Sequence, residues 1–202
     1  MYLAHYSLKK QPFQINMDPK FIWFGERHKD ILTVLKYVAV NNEGFLLITG
    51  DVGTGKTTLV NALLQRFDEN TVTANITNPK MEPQDFLNFV AHEFNIPMKS
   101  GNKGDSLTSF RHFFNDCDSE NKNVVLIIDE GHRLDQTVLN QIRCLSNIER
   151  RNKKLLNVVF VAQDGFIDLI SKKKNRDLKQ RITFSYRLNP LKGAEICEYI
   201  FH

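Results

Sequence analysis

The chain contains the glycine-rich run Gly50-Asp51-Val52-Gly53-Thr54-Gly55-Lys56-Thr57. It matches the phosphate-binding loop pattern G-x-x-x-x-G-K-[ST] at every fixed position. Glycines allow backbone conformations that a Cβ atom forbids, so several N–H groups can turn inward around a phosphate. The lysine of the pattern reaches the β- and γ-phosphates, and the hydroxyl of its last residue binds Mg²⁺. We refer to residues 50–57 as the phosphate loop.

The residues on either side of the phosphate loop supply the structural context that this motif requires. Residues 45–49 form an apolar run of strand length, and residues 58–67 have the apolar spacing of a helix. The positive N-terminal end of that helix would face the same anion. A strand, a loop and a helix in this order favour phosphate binding over a glycine-rich turn that binds nothing.

Length and composition predict one soluble domain. The chain has 202 residues, of which 42% are hydrophobic and 25% are charged, and this is enough for one α/β domain with a full core. No stretch approaches the length of a membrane span, and residues 1–10 do not resemble a secretory signal. We therefore expect a cytoplasmic location. The three scattered cysteines do not have the spacing of metal ligands, and reduced thiols are expected.

The net charge of +4 is too small to indicate a particular class of partner. Basic residues nevertheless cluster in residues 150–154 and again in residues 172–181. Three interpretations remain open for these clusters. They are solvated faces, a nucleic-acid surface, or a subunit interface that meets the nucleotide of a neighbour.

Strand patterns alternate with helix patterns along the chain, which predicts an α/β fold with a mainly parallel sheet. Residues 1–24 are rich in aromatic side chains and are expected to pack on the domain, either in the core or beside the nucleotide base. Strands are predicted at residues 71–74, 124–128, 155–162 and 183–188, and helices at residues 26–40, 83–94, 107–114, 135–151, 164–170 and 193–201. Residues 97–105 are predicted to form a polar loop.

Asp129 and Glu130 follow a run of buried-strand character at residues 124–128. Ligands of open α/β sheets bind outside the carboxyl ends of the strands, so both carboxylates are expected near the phosphate loop. An Asp at this position can hold Mg²⁺, and the adjacent Glu can orient or deprotonate an attacking water. The alternative is an acidic pair that caps a helix.

Two further polar residues lie where a hydrolase would require them. Gln163 follows the strand after the acidic pair, and its side chain can contact the γ-phosphate or the attacking water. Arg181 precedes the last strand and can reach a γ-phosphate, most plausibly that of the next subunit, where it would stabilise the developing charge. The alternatives are a loop glutamine and a surface arginine at the end of a basic helix.

Taken in this order, these segments resemble the AAA+ ATPases, and more narrowly the general secretion pathway protein A family. The resemblance covers nearly the whole chain. The phosphate loop alone indicates only the superfamily, whereas the N-terminal segment and residues 145–149 indicate the narrower family. The matching residues are Tyr6, Leu8, Pro12-Phe13, Asp18-Pro19, Gly44-Phe45, residues 50–59, 124–134 and 145–149, Leu155-Leu156, Gln163, residues 178–182, Leu188, Pro190-Leu191 and Glu195.

The resemblance implies a P-loop NTPase (AAA+) fold, a three-layer α/β/α sandwich with a mainly parallel five-stranded sheet. In domain terms, residues 1–40 would be a linker and helix packed on the core, residues 41–192 the nucleotide-binding core, and residues 193–202 the start of a truncated helical lid. The implied cofactors are ATP and Mg²⁺. The implied ATP-binding residues are Gly50, Asp51, Val52, Gly53, Thr54, Gly55, Lys56, Thr57 and Thr58.

The resemblance also implies a role for each residue of the site. Thr57 and Asp129 would hold Mg²⁺, and Lys56 and Glu130 would be catalytic. Gln163 matches the first sensor position, and Arg181 resembles the arginine finger. The implied activity is ATP hydrolysis that drives assembly of a secretion or pilus-type cell-envelope machine. The implied partners are further copies of the chain, in a ring or dimer, and components of that machine.

The sequence departs from its relatives at two points. Gly131-His132-Arg133 follows the acidic pair where relatives commonly have Ala-Gln-x, and we expect this to alter the surface beside the site and not its core chemistry. The chain ends at His202, before any lid, second sensor arginine or membrane segment. We therefore expect a fragment with low activity of its own. A longer protein built like the secretion relatives would place this domain on the cytoplasmic face of the inner membrane.

Two competing functions share the same nucleotide site. The first is a DNA-bound AAA+ regulator that resembles the ATPases of transposition systems, in which the basic clusters would contact DNA. The family resemblance favours secretion components over nucleic acid as partners. The second is a nucleotide switch or kinase, but no second phosphate-binding pocket is evident, and the Asp129-Glu130 pair favours water as the acceptor.

Overall fold

The computed structural model describes His5 and residues 23–41, 44–98 and 103–201. Five strands form one sheet in the order β2-β3-β4-β1-β5, and every neighbouring pair is parallel. This confirms the predicted five-stranded parallel sheet. The strands are β1 (Phe45–Gly50), β2 (Thr71–Ile76), β3 (Asn123–Ile128), β4 (Leu156–Ala162) and β5 (Ile182–Leu188).

Helices cover both faces of the sheet, because alternate side chains of its central strands are apolar on both sides. In β3, Val124 and Leu126 pack on one face, and Val125 and Ile127 pack on the other. The three-layer α/β/α sandwich is therefore confirmed. The helices are α1 (Glu26–Asn41), α2 (Lys56–Leu64), α3 (Pro83–Glu93), α4 (Lys103–Ser119), α5 (Gln136–Ser146), α6 (Gly165–Ser171), α7 (Arg176–Gln180) and α8 (Gly193–Phe201).

Helix α5 begins as its sequence predicts but ends earlier. The Asp135 carboxylate accepts hydrogen bonds from the backbone N–H groups of Thr137 and Val138 and caps the helix N-terminus. The bond from the Thr137 hydroxyl, followed by these backbone bonds, lowers the pKa of Asp135. The predicted helix over residues 135–151 is wrong in its last turn, because α5 ends at Ser146.

The residues beyond α5 form a short antiparallel hairpin instead, which pairs Glu149–Arg150 with Lys153–Lys154. Both residues at its tip, Arg151 and Asn152, have positive φ angles of 50° and 65°, which a tight two-residue hairpin turn requires. Helical periodicity alone gives no sign of this turn.

Helix α4 holds the hairpin in place through one carboxylate. Asp118 accepts from Lys153 Nζ at 2.7 Å and from Arg150 Nη1 at 3.4 Å. The Lys153 bond is the main reason that the pKa of Asp118 is lowered. Two cations of the first basic cluster are therefore paired with a neighbouring helix, and Lys154 pairs with Glu149 at 2.6 Å.

The polar loop predicted for residues 97–105 is also partly wrong, because α4 already begins at Lys103. Of the aromatic N-terminal segment, the structure describes Trp23 and Phe24, and the other aromatic residues lie outside the described residues. The Trp23 ring lies edge-on to Tyr199 of α8, with 6.5 Å between ring centroids. Within the described residues, no helix combines the length and the apolar character needed to cross a membrane.

Candidate nucleotide-binding site

The phosphate loop joins the carboxyl end of β1 to the first turn of α2. Gly50 lies so close to β5 that a Cβ atom would be 2.6 Å from the Leu188 carbonyl oxygen. Gly55 has a φ of 88° immediately before α2, a conformation that L side chains rarely adopt. The Thr54 hydroxyl donates to the Asp51 carbonyl at 2.9 Å and closes the loop. Close packing and left-handed backbone thus account for two of the glycines of the motif.

The Lys56 ammonium lies inside the phosphate loop. The side chain is buried, and Nζ donates to the backbone carbonyls of Gly50 at 3.0 Å and Asp51 at 2.7 Å. A buried cation in a glycine-rich loop, at the N-terminus of a helix, is a site suited to an anion.

Asp129 brings the second predicted motif to the phosphate loop. Its carboxylate follows β3, is 3% exposed, and accepts from the Thr57 hydroxyl at 2.7 Å through Oδ2. Its other oxygen accepts the backbone N–H of Glu130 at 2.8 Å. The structure therefore joins a hydroxyl and a carboxylate, two hard oxygen donors of the kind that Mg²⁺ prefers, 72 residues apart in sequence.

Glu130 and Gln163 lie at the same edge of the sheet, and His132 links them. Glu130 has a left-handed backbone conformation (φ 53°, ψ 34°), and its Oε2 lies 3.4 Å from His132 Nε2. His132 Nδ1 accepts the backbone N–H of Gln163, which follows β4, at 3.4 Å. The sequence predicts only a change of the nearby surface at His132, whereas the structure places its ring in contact with Glu130. Its position two residues after Glu130 is the one sequence signal that it could contact the site.

Arg187 is a charged residue beside the phosphate loop that the sequence reasoning did not select. It lies near the end of β5, opposite Thr49 of β1. Its guanidinium donates to Asp164 at 2.6 Å and lies 3.9 Å from the Asp51 carboxylate. The arginine thus connects the strand end after β4 to the start of the phosphate loop. The alternating pattern of β5 predicts which face of the sheet Arg187 lies on, but it does not predict which residues Arg187 contacts.

Arg181 lies at the opposite edge of the sheet from the other predicted residues. It comes just before β5, where its carbonyl accepts the backbone N–H of Phe45 at the start of β1. Five residues of β1, Phe45 to Thr49, separate it from the first residue of the phosphate loop, a distance of about 16 Å at roughly 3.3 Å per residue. Its guanidinium donates to Ser146 Oγ at 2.8 Å and to Asn147 Oδ1 at 2.6 Å. Arg181 therefore does not contact the phosphate loop of its own chain.

These features define a P-loop nucleotide-binding domain. The profile of the AAA domain family matches residues 40–170, well over half of the chain, and the chain belongs to that family. A particular relative is similar over almost the whole chain. General secretion pathway protein A of Aeromonas hydrophila is 36% identical over 204 residues, which cover 99% of this chain and 37% of that protein. The chain thus spans little more than a third of the length of this relative.

Several solved structures have a similar fold. The ADP form of ORC2 from Aeropyrum pernix superposes with a TM-score of 0.71, at 17% identity over 94% of this chain and 54% of that one. The Drosophila ORC bound to DNA superposes with a TM-score of 0.64, at 20% identity, and the match covers 85% of this chain and 45% of that one. The RuvB Holliday junction branch migration motor of Thermotoga maritima superposes with a TM-score of 0.52, at 20% identity, and the match covers 88% of this chain and 49% of that one. At these identities the likeness shows the fold alone.

Proposed function

We propose that this domain binds ATP with Mg²⁺ and hydrolyses it, and that hydrolysis drives assembly of a secretion or pilus-type cell-envelope machine. The observation that carries the proposal is the 2.7 Å contact between the Thr57 hydroxyl and the buried Asp129 carboxylate. It brings two oxygen ligands together directly beside a loop built for phosphates. A structural hydrogen bond would not require a carboxylate that is 3% exposed at this edge of the sheet.

The residues present fit a nucleoside triphosphate and its metal ion. The space beside Gly53 and Gly55 is open, since no heavy atom beyond the adjacent residues lies within 4 Å of a Cβ built at either position. Residues 50–58 would enclose the phosphates with backbone N–H groups, and Lys56 would exchange its two carbonyl partners for phosphate oxygens. Thr57 and Asp129 would hold Mg²⁺. When bound, the ion would supply positive charge that neutralises the β- and γ-phosphate oxygens.

Three residues would carry the reaction with water. Glu130, half-exposed at the end of β3, would orient the attacking water and accept its proton. Gln163 would contact the γ-phosphate or the same water from the neighbouring strand end. Arg181, which lies about 16 Å from its own loop, would serve the nucleotide of a second copy of the chain. This assignment supports a dimer or ring as the active form.

The role in assembly rests on the similarity to general secretion pathway protein A. By that similarity we propose that the partners are cell-envelope secretion or pilus components. We also propose that the domain works in the cytoplasm, at the inner face of the inner membrane in a longer protein that spans it. Residues 193–202 would then begin the helical lid.

The experiment that tests the metal assignment compares ATP affinity with and without Mg²⁺ in Asp129→Asn. Asparagine keeps the hydrogen bond from the Thr57 hydroxyl but loses the negative charge. We expect the gain in ATP affinity produced by Mg²⁺ to fall about tenfold, while metal-free affinity stays the same or rises. Titration calorimetry measures both values. Asp30→Asn, an exposed change on α1, is the control, and an unchanged Mg²⁺ effect in Asp129→Asn would refute the assignment.

Arg181→Ala tests the role of this arginine in a second subunit. We expect ATP affinity to be unchanged, because Arg181 is remote from its own phosphate loop. Hydrolysis should fall about a hundredfold and lose its dependence on protein concentration. Steady-state rates over a concentration series measure this effect. Arg176→Ala removes a nearby exposed cation and serves as the control; loss of ATP binding in Arg181→Ala would rule out the finger role.

A DNA-associated ATPase of the transposition-regulator type is the second candidate, and one surface favours it. Lys172, Lys173, Lys174 and Arg176 are exposed, and in the part of the chain that the structure describes no salt bridge joins them to an acidic side chain. Asn175, which is 2% exposed, anchors this basic segment by hydrogen bonds to Gln136 and to the Leu169 carbonyl. Duplex DNA binding that weakens steeply with salt would support this second candidate.

A further inference from the structure

His132 occupies the space between two residues of the proposed hydrolytic site. His132 comes two residues after Glu130, whose backbone is left-handed, and lies in a single 3₁₀ turn formed by Gly131–Arg133. Gly131 lies against β4, and a Cβ atom there would be 3.4 Å from the Val161 carbonyl oxygen. The turn is therefore seated directly on the strand that ends before Gln163. The imidazole is mostly buried, with 23% of its side chain exposed.

The contacts of the ring determine which nitrogen carries the proton. Nδ1 accepts the backbone N–H of Gln163 at 3.4 Å, so it carries no hydrogen in this arrangement. The neutral ring then has its proton on Nε2, and this atom lies 3.4 Å from Glu130 Oε2. The backbone of one strand end thus fixes the tautomer, and the opposite nitrogen offers a donor to the carboxylate.

We propose that His132 is a positioning residue that sets the orientation of the Glu130 carboxylate and ties it to the strand end at Gln163. A half-exposed glutamate has several rotamers of similar energy, and few of them direct an oxygen toward an attacking water. A donor held by a second backbone contact selects among those rotamers in advance, as hydrogen-bonded outer residues do for metal ligands. A displacement of the Gln163 backbone would also move the donor that holds Glu130.

This inference rests on the proposed role of Glu130 and extends it to a residue that contacts Glu130 and the Gln163 backbone. It differs from the expectation drawn for Gly131-His132-Arg133, which placed the effect at the surface only. The geometry gives His132 two separate functions, one for each ring nitrogen, and two substitutions can separate them.

The test uses His132→Gln and His132→Asn as a matched pair. The Gln amide reaches the position of Nε2 and keeps a donor toward Glu130. The shorter Asn amide reaches only the position of Nδ1, so it can accept from Gln163 but cannot reach Glu130. We expect His132→Gln to keep kcat within about threefold of the wild type, and His132→Asn and His132→Ala to lose about tenfold in kcat with KM unchanged.

Equal rates for the Gln and Asn variants, or an unaffected His132→Ala, would overturn the proposal. In a Glu130→Gln background, His132→Ala should cause no further loss, because the carboxylate that it orients is gone. An additional tenfold loss there would also overturn it. Unchanged turnover in Glu130→Gln alone would remove the proposed role of Glu130 and this inference with it, whereas the other results remove only the inference.

A second measurement requires no turnover. Nitrogen-15 NMR of the imidazole, assigned by its loss in His132→Gln, should show the proton on Nε2 and a bare Nδ1. The Nε2 resonance should shift in Glu130→Gln, because its acceptor changes from a carboxylate to an amide. A proton on Nδ1, or an Nε2 resonance that does not shift in Glu130→Gln, would contradict the proposed contact between His132 and Glu130.

Discussion

Lys56→Ala is expected to abolish ATP hydrolysis, with a loss of at least about a thousandfold, and to weaken ATP binding strongly. Lys56 is 7% exposed, and the Gly50 and Asp51 carbonyls accept hydrogen bonds from its ammonium in the phosphate loop. Alanine leaves the space open and removes the one cation that the loop itself encloses. Turnover by phosphate release and affinity by titration calorimetry measure the two effects separately.

The control for Lys56→Ala is Lys36→Ala, which removes an exposed lysine from α1. We expect its hydrolysis and affinity to match those of the wild type. Lys56→Arg gives a second comparison, because the larger planar guanidinium keeps the charge but does not fit the position of the ammonium. Wild-type turnover in Lys56→Ala would mean that the phosphate loop is not the nucleotide site.

Glu130→Gln is expected to reduce hydrolysis about a thousandfold while ATP binding persists. The amide has nearly the same shape as the carboxylate but cannot take a proton from water. Asp129 and Thr57, which would hold Mg²⁺, are not altered, so the bound complex should accumulate. Single-turnover experiments with labelled ATP would detect ATP that remains intact on the protein after the wild type has converted it to ADP.

Glu69→Gln provides the matched control, since it makes the same chemical change at an exposed position. It should hydrolyse ATP at the wild-type rate. If Glu130→Gln also turned over at the wild-type rate, water activation would have to be assigned to another group. If it failed to bind ATP, its effect would be structural, and the catalytic assignment would fail for a different reason.

The sequence was sufficient to predict the fold because its strongest patterns are local. The β-branched run at residues 124–128 and the glycine motif at residues 50–57 each indicate one element and one chemistry. The parallel sheet then follows, since strands that alternate with helices seldom arrange otherwise. Strand β1 forms as predicted, and α2 and β3 begin one or two residues before their predicted starts.

The errors occur where contacts distant in sequence override local pattern. Helical periodicity continues to Ile148, yet the hairpin at residues 149–154 forms instead, where Asp118 of α4 pairs with Arg150 and Lys153. The contacts of Arg187 with Asp164 and Asp51, and that of His132 with the Gln163 backbone, could not be predicted either, because each joins residues that are distant in sequence. The local pattern of one segment does not predict which strands will be neighbours in the sheet, so it does not predict contacts between their ends.

Arg181 shows the limit of a site drawn from motifs alone. Its place before β5 was clear from the sequence, but its distance from the phosphate loop depends on the direction of the strands. Because all five strands run parallel, a residue that precedes one strand lies at the edge opposite to residues that follow the others. The bonds to Ser146 and Asn147 hold the guanidinium at that edge.

The most direct test of the central claim is the rate of ATP hydrolysis with Mg²⁺ against protein concentration, with and without duplex DNA, beside Lys56→Ala. We expect a specific rate that rises steeply with concentration, does not change when DNA is added, and vanishes in Lys56→Ala. A rate per molecule that stays constant with concentration, or hydrolysis that survives in Lys56→Ala, would contradict it. Stimulation by DNA would replace the assembly role with the DNA-associated one.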